Sequence, residues 1–220
     1  AELERATALP RGNAEVLGQL GMALVQADEP VRALGDLEAA AAGSPGNAEV
    51  AFWLGTAWSK TGDHAAAEKA YRSAISLDPA HVSAHRQLGN MLTKIGRFAD
   101  AAVVNEAALR LSPGDGAVLY DLAHALASSD APEKALAWLD PVIETGKAPP
   151  DFSELAAFAA FRAGDPEDCI RRCDAILERF PGRTTAIAYK GMALNEIGQR
   201  DAAAELMAME RLVSSHFRVV

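Results

Sequence analysis

The sequence predicts an all-α protein built from tandem helix-turn-helix hairpins. Two observations carry this prediction. Alanine, the best helix former, supplies 47 of 220 residues, against 3 Trp, 3 Tyr and 7 Phe. The second is a period of 34 residues that runs through the chain in three series. Gly21, Gly55 and Gly89 form one, continued by Ala123 and Ala157 and closed by Gly191. Pro45, Pro79, Pro113 and Pro181 form another, with Lys147 in the open slot. Ala33, Ala67, Ala101, Ala135, Cys169 and Ala203 form the third.

The elements follow in order from this register. Residues 1–13 precede the first full copy. Counting back from Asn13, Ala6 falls in register with Ala40, Ala74 and Ala108, so residues 1–9 read equally as the second helix of an incomplete earlier unit or as a capping helix. The six units are 14–47, 48–81, 82–115, 116–149, 150–183 and 184–217. Unit two shows the logic best: Ala48–Thr61 is a helix, Gly62-Asp63 a turn and His64–Ser76 a second helix. Asp78-Pro79 ends it, because proline cannot continue the hydrogen-bond ladder. Asn13, Asn47 and Asp115 stand where a side-chain oxygen can cap the next helix. The small residues of the glycine and alanine series let the two helices approach where a larger side chain would overpack. Unit four lacks the glycine and the proline, unit five has Cys169 and Cys173 at the alanine and aromatic positions, and unit six has Lys190 before its glycine and Met207 at the aromatic position. The helix from Arg200 to Val213 is apolar on more than one side, and Phe217-Arg218-Val219-Val220 follows it. A terminal solenoid helix should show a polar outer face, so the preferred expectation is a sequence cut from a longer polypeptide, and the alternative is a tail folded back on the last repeat.

Ala51, Leu54-Gly55, Trp58, Ala67, Tyr71, Ala74 and Pro79 resemble the tetratricopeptide repeat. Unit three repeats the pattern with Leu88-Gly89, Leu92, Ala101, Ala108 and Pro113, and unit one with Leu17, Leu20-Gly21, Leu24, Ala33, Ala40 and Pro45. The resemblance implies a right-handed α-solenoid whose first helices line a concave ligand groove. Alanine richness suggests, by association, a bacterial source with a GC-rich genome.

Several function classes are disfavoured. A net charge of −9 argues against general nucleic-acid binding, and no apolar run reaches the roughly 20 residues of a membrane span. Two cysteines cannot build a disulfide scaffold. There is no phosphate loop, dinucleotide fingerprint, nucleophile elbow or His-Glu-x-x-His helix, so the chain reads as non-catalytic, with no cofactor and no metal. Cys169 and Cys173, four apart at buried repeat positions, read as core. His81 and His85 share that spacing and read as packing and turn residues rather than a metal pair. The default compartment is the cytoplasm; the periplasm stays open because the chain opens with Ala1 rather than Met.

The groove positions implied by the resemblance include Phe52, Thr56 and Lys60 in unit two, Arg86, Asn90 and Lys94 in unit three, and Tyr120 and His124 in unit four. Lys60, Arg86 and Lys94 would gather positive charge in an acidic chain, Asn90 would bond a peptide backbone, and Phe52 and Tyr120 would be aromatic anchors. Units five and six offer Asp151, Glu154, Phe158, Phe161, Met192 and Glu196, a more apolar and acidic lining. Gly18 and Met22 in unit one depart from the Lys and Asn of the carboxylate-clamp adaptors, so the resemblance to that subclass is poor and is not adopted. The expected function is a scaffold holding a protein or peptide with an acidic group near those three cations. The alternative is the recognition arm of a larger bacterial enzyme, of the iron and 2-oxoglutarate oxygenase, sulfotransferase or glycosyltransferase kind, suggested by the residues 210–220. Self-association through apolar ends is a third reading.

Overall fold

A computed structural model describes residues 11–206 and 208. Helices α1 (Arg11–Gln26) and α2 (Pro30–Gly43) form the first hairpin, α3 (Ala48–Thr61) and α4 (His64–Leu77) the second, and α5 (Val82–Lys94) and α6 (Phe98–Leu111) the third. They are followed by α7 (Gly116–Ser128) and α8 (Pro132–Glu144), α9 (Pro150–Arg162) and α10 (Pro166–Arg179), and α11 (Thr184–Glu196). A further helix begins at Arg200. No strand occurs among the described residues. The readings placed on residues 1–9, on Met207 and on the chain beyond Ala208 lie outside them.

Local chemistry sets the helix limits. Asn47 Oδ1 accepts the Glu49 and Val50 N–H groups at 3.0 and 3.2 Å, and Asp115 does the same for Ala117 and Val118 at 2.9 and 3.2 Å. Asn13 is a correction: it lies within the described span of α1, Arg11–Gln26, rather than before a helix as its cap. Proline opens α2, α8, α9 and α10, where its missing N–H costs nothing. The turn within four of the hairpins needs positive φ, met by Gly62 (91°), Gly96 (79°), Gly164 (78°) and Gly198 (82°). In the first hairpin the same slot holds Asp28 at φ 61°, a side chain in the left-handed region.

The repeated small residues do what their spacing predicts. A Cβ on Gly55 would lie 2.7 Å from the Tyr71 ring, and one on Gly21 would meet Leu37. A Cβ on Gly89 would collide with the Asn105 amide. Leu37, Tyr71, Asn105, Leu139 and Cys173 occupy one register position and are all buried. Burying a leucine of this kind contributes about 1.5–3 kcal/mol.

The described residues divide into two compact units, with the boundary between Val118 and Leu119 of the ranges 1–118 and 119–220. In the first, Val25, Ala33, Leu37 and Ala57 form a core cluster flanked by Trp53 and Leu54. In the second, Ala157, Ala160, Cys169, Cys173, Ile176, Ala186 and Ala193 form another.

Candidate interaction surface

Within each unit the first helices of successive hairpins are the more crowded layer. In the first unit α1 approaches α3, and α3 approaches α5; in the second, α9 approaches α11. The second helices α2 and α4, α4 and α6, and α8 and α10 do not approach one another within the same distance. The first helices therefore lie on the inner side of the curvature of each unit.

In unit 1–118 the expected site residues divide into buried, engaged and open. Phe52 is buried, 7% exposed, with its ring 6.1 Å from Tyr71 and 4.9 Å from His81. It is a packing residue and not an exposed anchor, which corrects the sequence expectation. Half-buried Thr56 donates to the Phe52 carbonyl at 3.0 Å and accepts from the Tyr71 hydroxyl at 3.3 Å. The Lys60 ammonium donates to Asp28 at 2.6 Å, so its charge is already matched. Arg86 is half-buried and engaged within the protein. Asn90 is half-buried and Lys94 exposed, and neither has a partner among the described residues. Both are open polar groups of α5.

Sequence reasoning missed the Asp28 partner. It sits 32 residues before Lys60, at the turn slot that glycine fills in hairpins two, three, five and six, so an acidic residue in that slot was the available signal. The hydrogen bond from Lys60, then its charge, holds the Asp28 carboxyl below the usual carboxylate range.

In unit 119–220 Tyr120 and His124 stack with ring centroids 6.5 Å apart and planes 9° from parallel. Tyr120 also meets Phe152 at 5.6 Å, and Phe158 meets Tyr189 at 5.5 Å. Burial, then the Asp151 carboxylate, pushes the Tyr120 hydroxyl pKa up, keeping it a neutral donor. The acidic lining expected here is largely spent. Buried Glu154 receives Arg183 Nε and Nη2 at 2.7 and 2.8 Å, and Asp151 also binds Arg183. That guanidinium bridges the start of α9 and the residue preceding α11.

The candidate metal positions are occupied by structural roles. His81 Nδ1 accepts the Ala84 N–H at 3.2 Å as a helix cap, and His85 Nε2 lies 3.2 Å from the Pro79 carbonyl. Cys169 donates to the Tyr189 carbonyl at 3.8 Å, and both cysteines are fully buried. The contact with Cys169, then burial, pushes the Cys173 thiol far above its ordinary pKa, so it stays an unreactive thiol. Among the described residues no group of three or more His, Cys, Asp or Glu is placed to hold a metal. No described helix is long and apolar enough to cross a membrane.

Known families match this arrangement of hairpins. One tetratricopeptide repeat model matches residues 19–81 and 59–116, and a second matches 92–157, together more than half of the 220 residues. The chain belongs to the tetratricopeptide repeat family. Solved tetratricopeptide repeat structures share its fold. A protein of Parabacteroides merdae is 17% identical over 90% of this chain and 78% of its own, with a TM-score of 0.77. YrrB, described as having an unusual peptide-binding site, is 19% identical over 84% of this chain and 98% of its own, with a TM-score of 0.61. The first repeat domain of Spaghetti, solved with an HSP90 peptide, is 18% identical over 53% of this chain and 93% of its own, with a TM-score of 0.50. No curated protein matches the sequence.

Proposed function

We propose that this tetratricopeptide repeat chain is a protein-interaction module that holds an extended peptide segment of a partner on the inner face of its first helices. The observation that carries the reading is the pair Asn90 and Lys94: polar, accessible and unspent on the crowded first-helix layer of unit 1–118. An amide offers a donor and an acceptor together, which suits a peptide bond, and a lysine at its side favours an acidic residue. Lys60 belongs to the same surface but must leave Asp28 to contribute, and Thr56 and Arg86 shape the floor. On unit 119–220 the Tyr120–His124 stack offers an aromatic contact of its own. The peptide-binding descriptions of YrrB and of the Spaghetti domain support this role by analogy of fold.

Selection from a random peptide display library tests it. Selected peptides are expected to carry Asp or Glu, and to lose about tenfold in affinity with Lys60→Glu/Lys94→Glu. Peptides without an acidic bias that bind the doubly reversed variant equally well contradict the assignment.

A further inference from the structure

Comparing each copy with its siblings in register isolates what unit five does differently. The slot that holds Leu17, Ala51, His85 and Leu119 holds Ser153. The slot that holds Leu77, Leu111 and Thr145 holds Arg179, and the next, with Asp78, Ser112 and Gly146, holds Phe180. These three departures border one cavity of about 190 Å³, between the end of α8, the start of α9 and the end of α10. Ile143, Pro150 and Ile176 supply apolar wall. Half-buried Ser153 adds a small polar side chain to this lining.

The charge at this cavity is also specific. Arg172 on its wall is fixed by Asp140 at 2.6 and 3.1 Å and by Asp168 at 2.7 Å, so its charge is matched by two carboxylates. Arg179 stands 5.6 Å over the Phe180 ring and has no carboxylate partner among the described residues. An aromatic ring, an uncommitted guanidinium and an apolar recess thus meet in one place. Aliphatic cavities of about 150 Å³ accept a benzene ring, and a guanidinium matches a carboxylate with two parallel hydrogen bonds.

We propose that this cavity binds a small organic carboxylate with an aryl body, the carboxylate on Arg179 and the ring in the recess beside Ser153. The site is independent of the peptide face and shares no residue with it. Phenylacetate is the probe. Titrated into the full chain and followed by amide NMR, it is expected to give saturable shifts at residues lining the recess. Ser153→Leu, carrying the residue of unit four, should abolish these shifts with unchanged circular dichroism; Ser153→Val serves if the leucine variant loses helicity. Arg179→Gln should weaken phenylacetate about tenfold, to the level of neutral phenylacetamide. No saturable shifts in the parent chain, shifts that survive filling of the recess, or equal binding of acid and amide by the parent chain would overturn the proposal.

Discussion

Asn105 is the residue most at odds with its surroundings. It is fully buried, and neither its amide nitrogen nor its amide oxygen has a hydrogen-bond partner. A buried amide left without a partner costs about 1–3 kcal/mol. Leu37 fills the equivalent slot against Gly21, so the space is known to suit leucine. Asn105→Leu is therefore expected to raise stability by about 1 kcal/mol, read as a higher urea midpoint at constant slope. An unchanged or lower midpoint would show that the slot at Gly89 is too tight for it. Gly55→Ala should act oppositely and lose roughly 1–3 kcal/mol, since its Cβ meets the Tyr71 ring. Asp28→Gly is a third residue-scale test: glycine suits the positive φ there and frees Lys60, so affinity for an acidic peptide should rise while the melting temperature holds. A fall in affinity would mean that the Asp28 pair positions Lys60 for binding. Phe52 shows the limit of reading single residues by register. The position predicted a groove face, but neighbouring rings of Tyr71 and His81 draw it inward, and that contact depends on residues far along the chain.

At the scale of elements, charged side chains tie successive hairpins together. Arg183 grips buried Glu154 with two hydrogen bonds across the α9–α11 step. Breaking a fully buried pair costs about 3–5 kcal/mol; Arg183 is partly solvated, so Arg183→Met should cost about 2 kcal/mol. A double-mutant cycle with Glu154→Gln isolates the pair, and a coupling near zero would assign the loss to packing instead. In the other unit Glu68 on α4 accepts from Arg72 and from Arg97, both at 2.7 Å. The Arg72 hydrogen bond, with a further contribution from Arg97 that together outweigh burial, holds its carboxyl below the ordinary value of 4.5. A depressed folded pKa stabilises above the unfolded value and is lost as pH falls through the folded one. Stability should thus fall on acidification below about pH 4.5, and Glu68→Gln should flatten that fall. The ties between hairpins, Arg183–Glu154 and Arg97–Glu68, were illegible in the sequence because each partner lies 29 residues away. The helices themselves were legible: Ala48–Thr61 ends where expected, and the helix from His64 runs one residue past Ser76, because Asp78, whose N–H still bonds the Ala74 carbonyl at 2.8 Å, is the first residue with extended backbone.

On the scale of the whole molecule, contacts are local. Helices that pack are neighbours in sequence or next but one, within two compact units. Stability in such a chain is a sum over repeats and their interfaces. Calorimetry is expected to give a van't Hoff enthalpy well below the calorimetric one; equal values would mean a single cooperative unit. The fold was legible because one 34-residue rule is restated six times, so that errors in one copy are outvoted by the others. The binding face was only partly legible. Register says which side a residue occupies, but not whether its charge is already spent, as with Lys60 on Asp28.

Hydrogen exchange with and without a selected acidic peptide tests the central claim most directly. The account predicts added protection on α5, around Asn90 and Lys94, and on the facing residues of α3. Protection confined to the outer helices α4 and α6, with α3 and α5 unchanged, would contradict it.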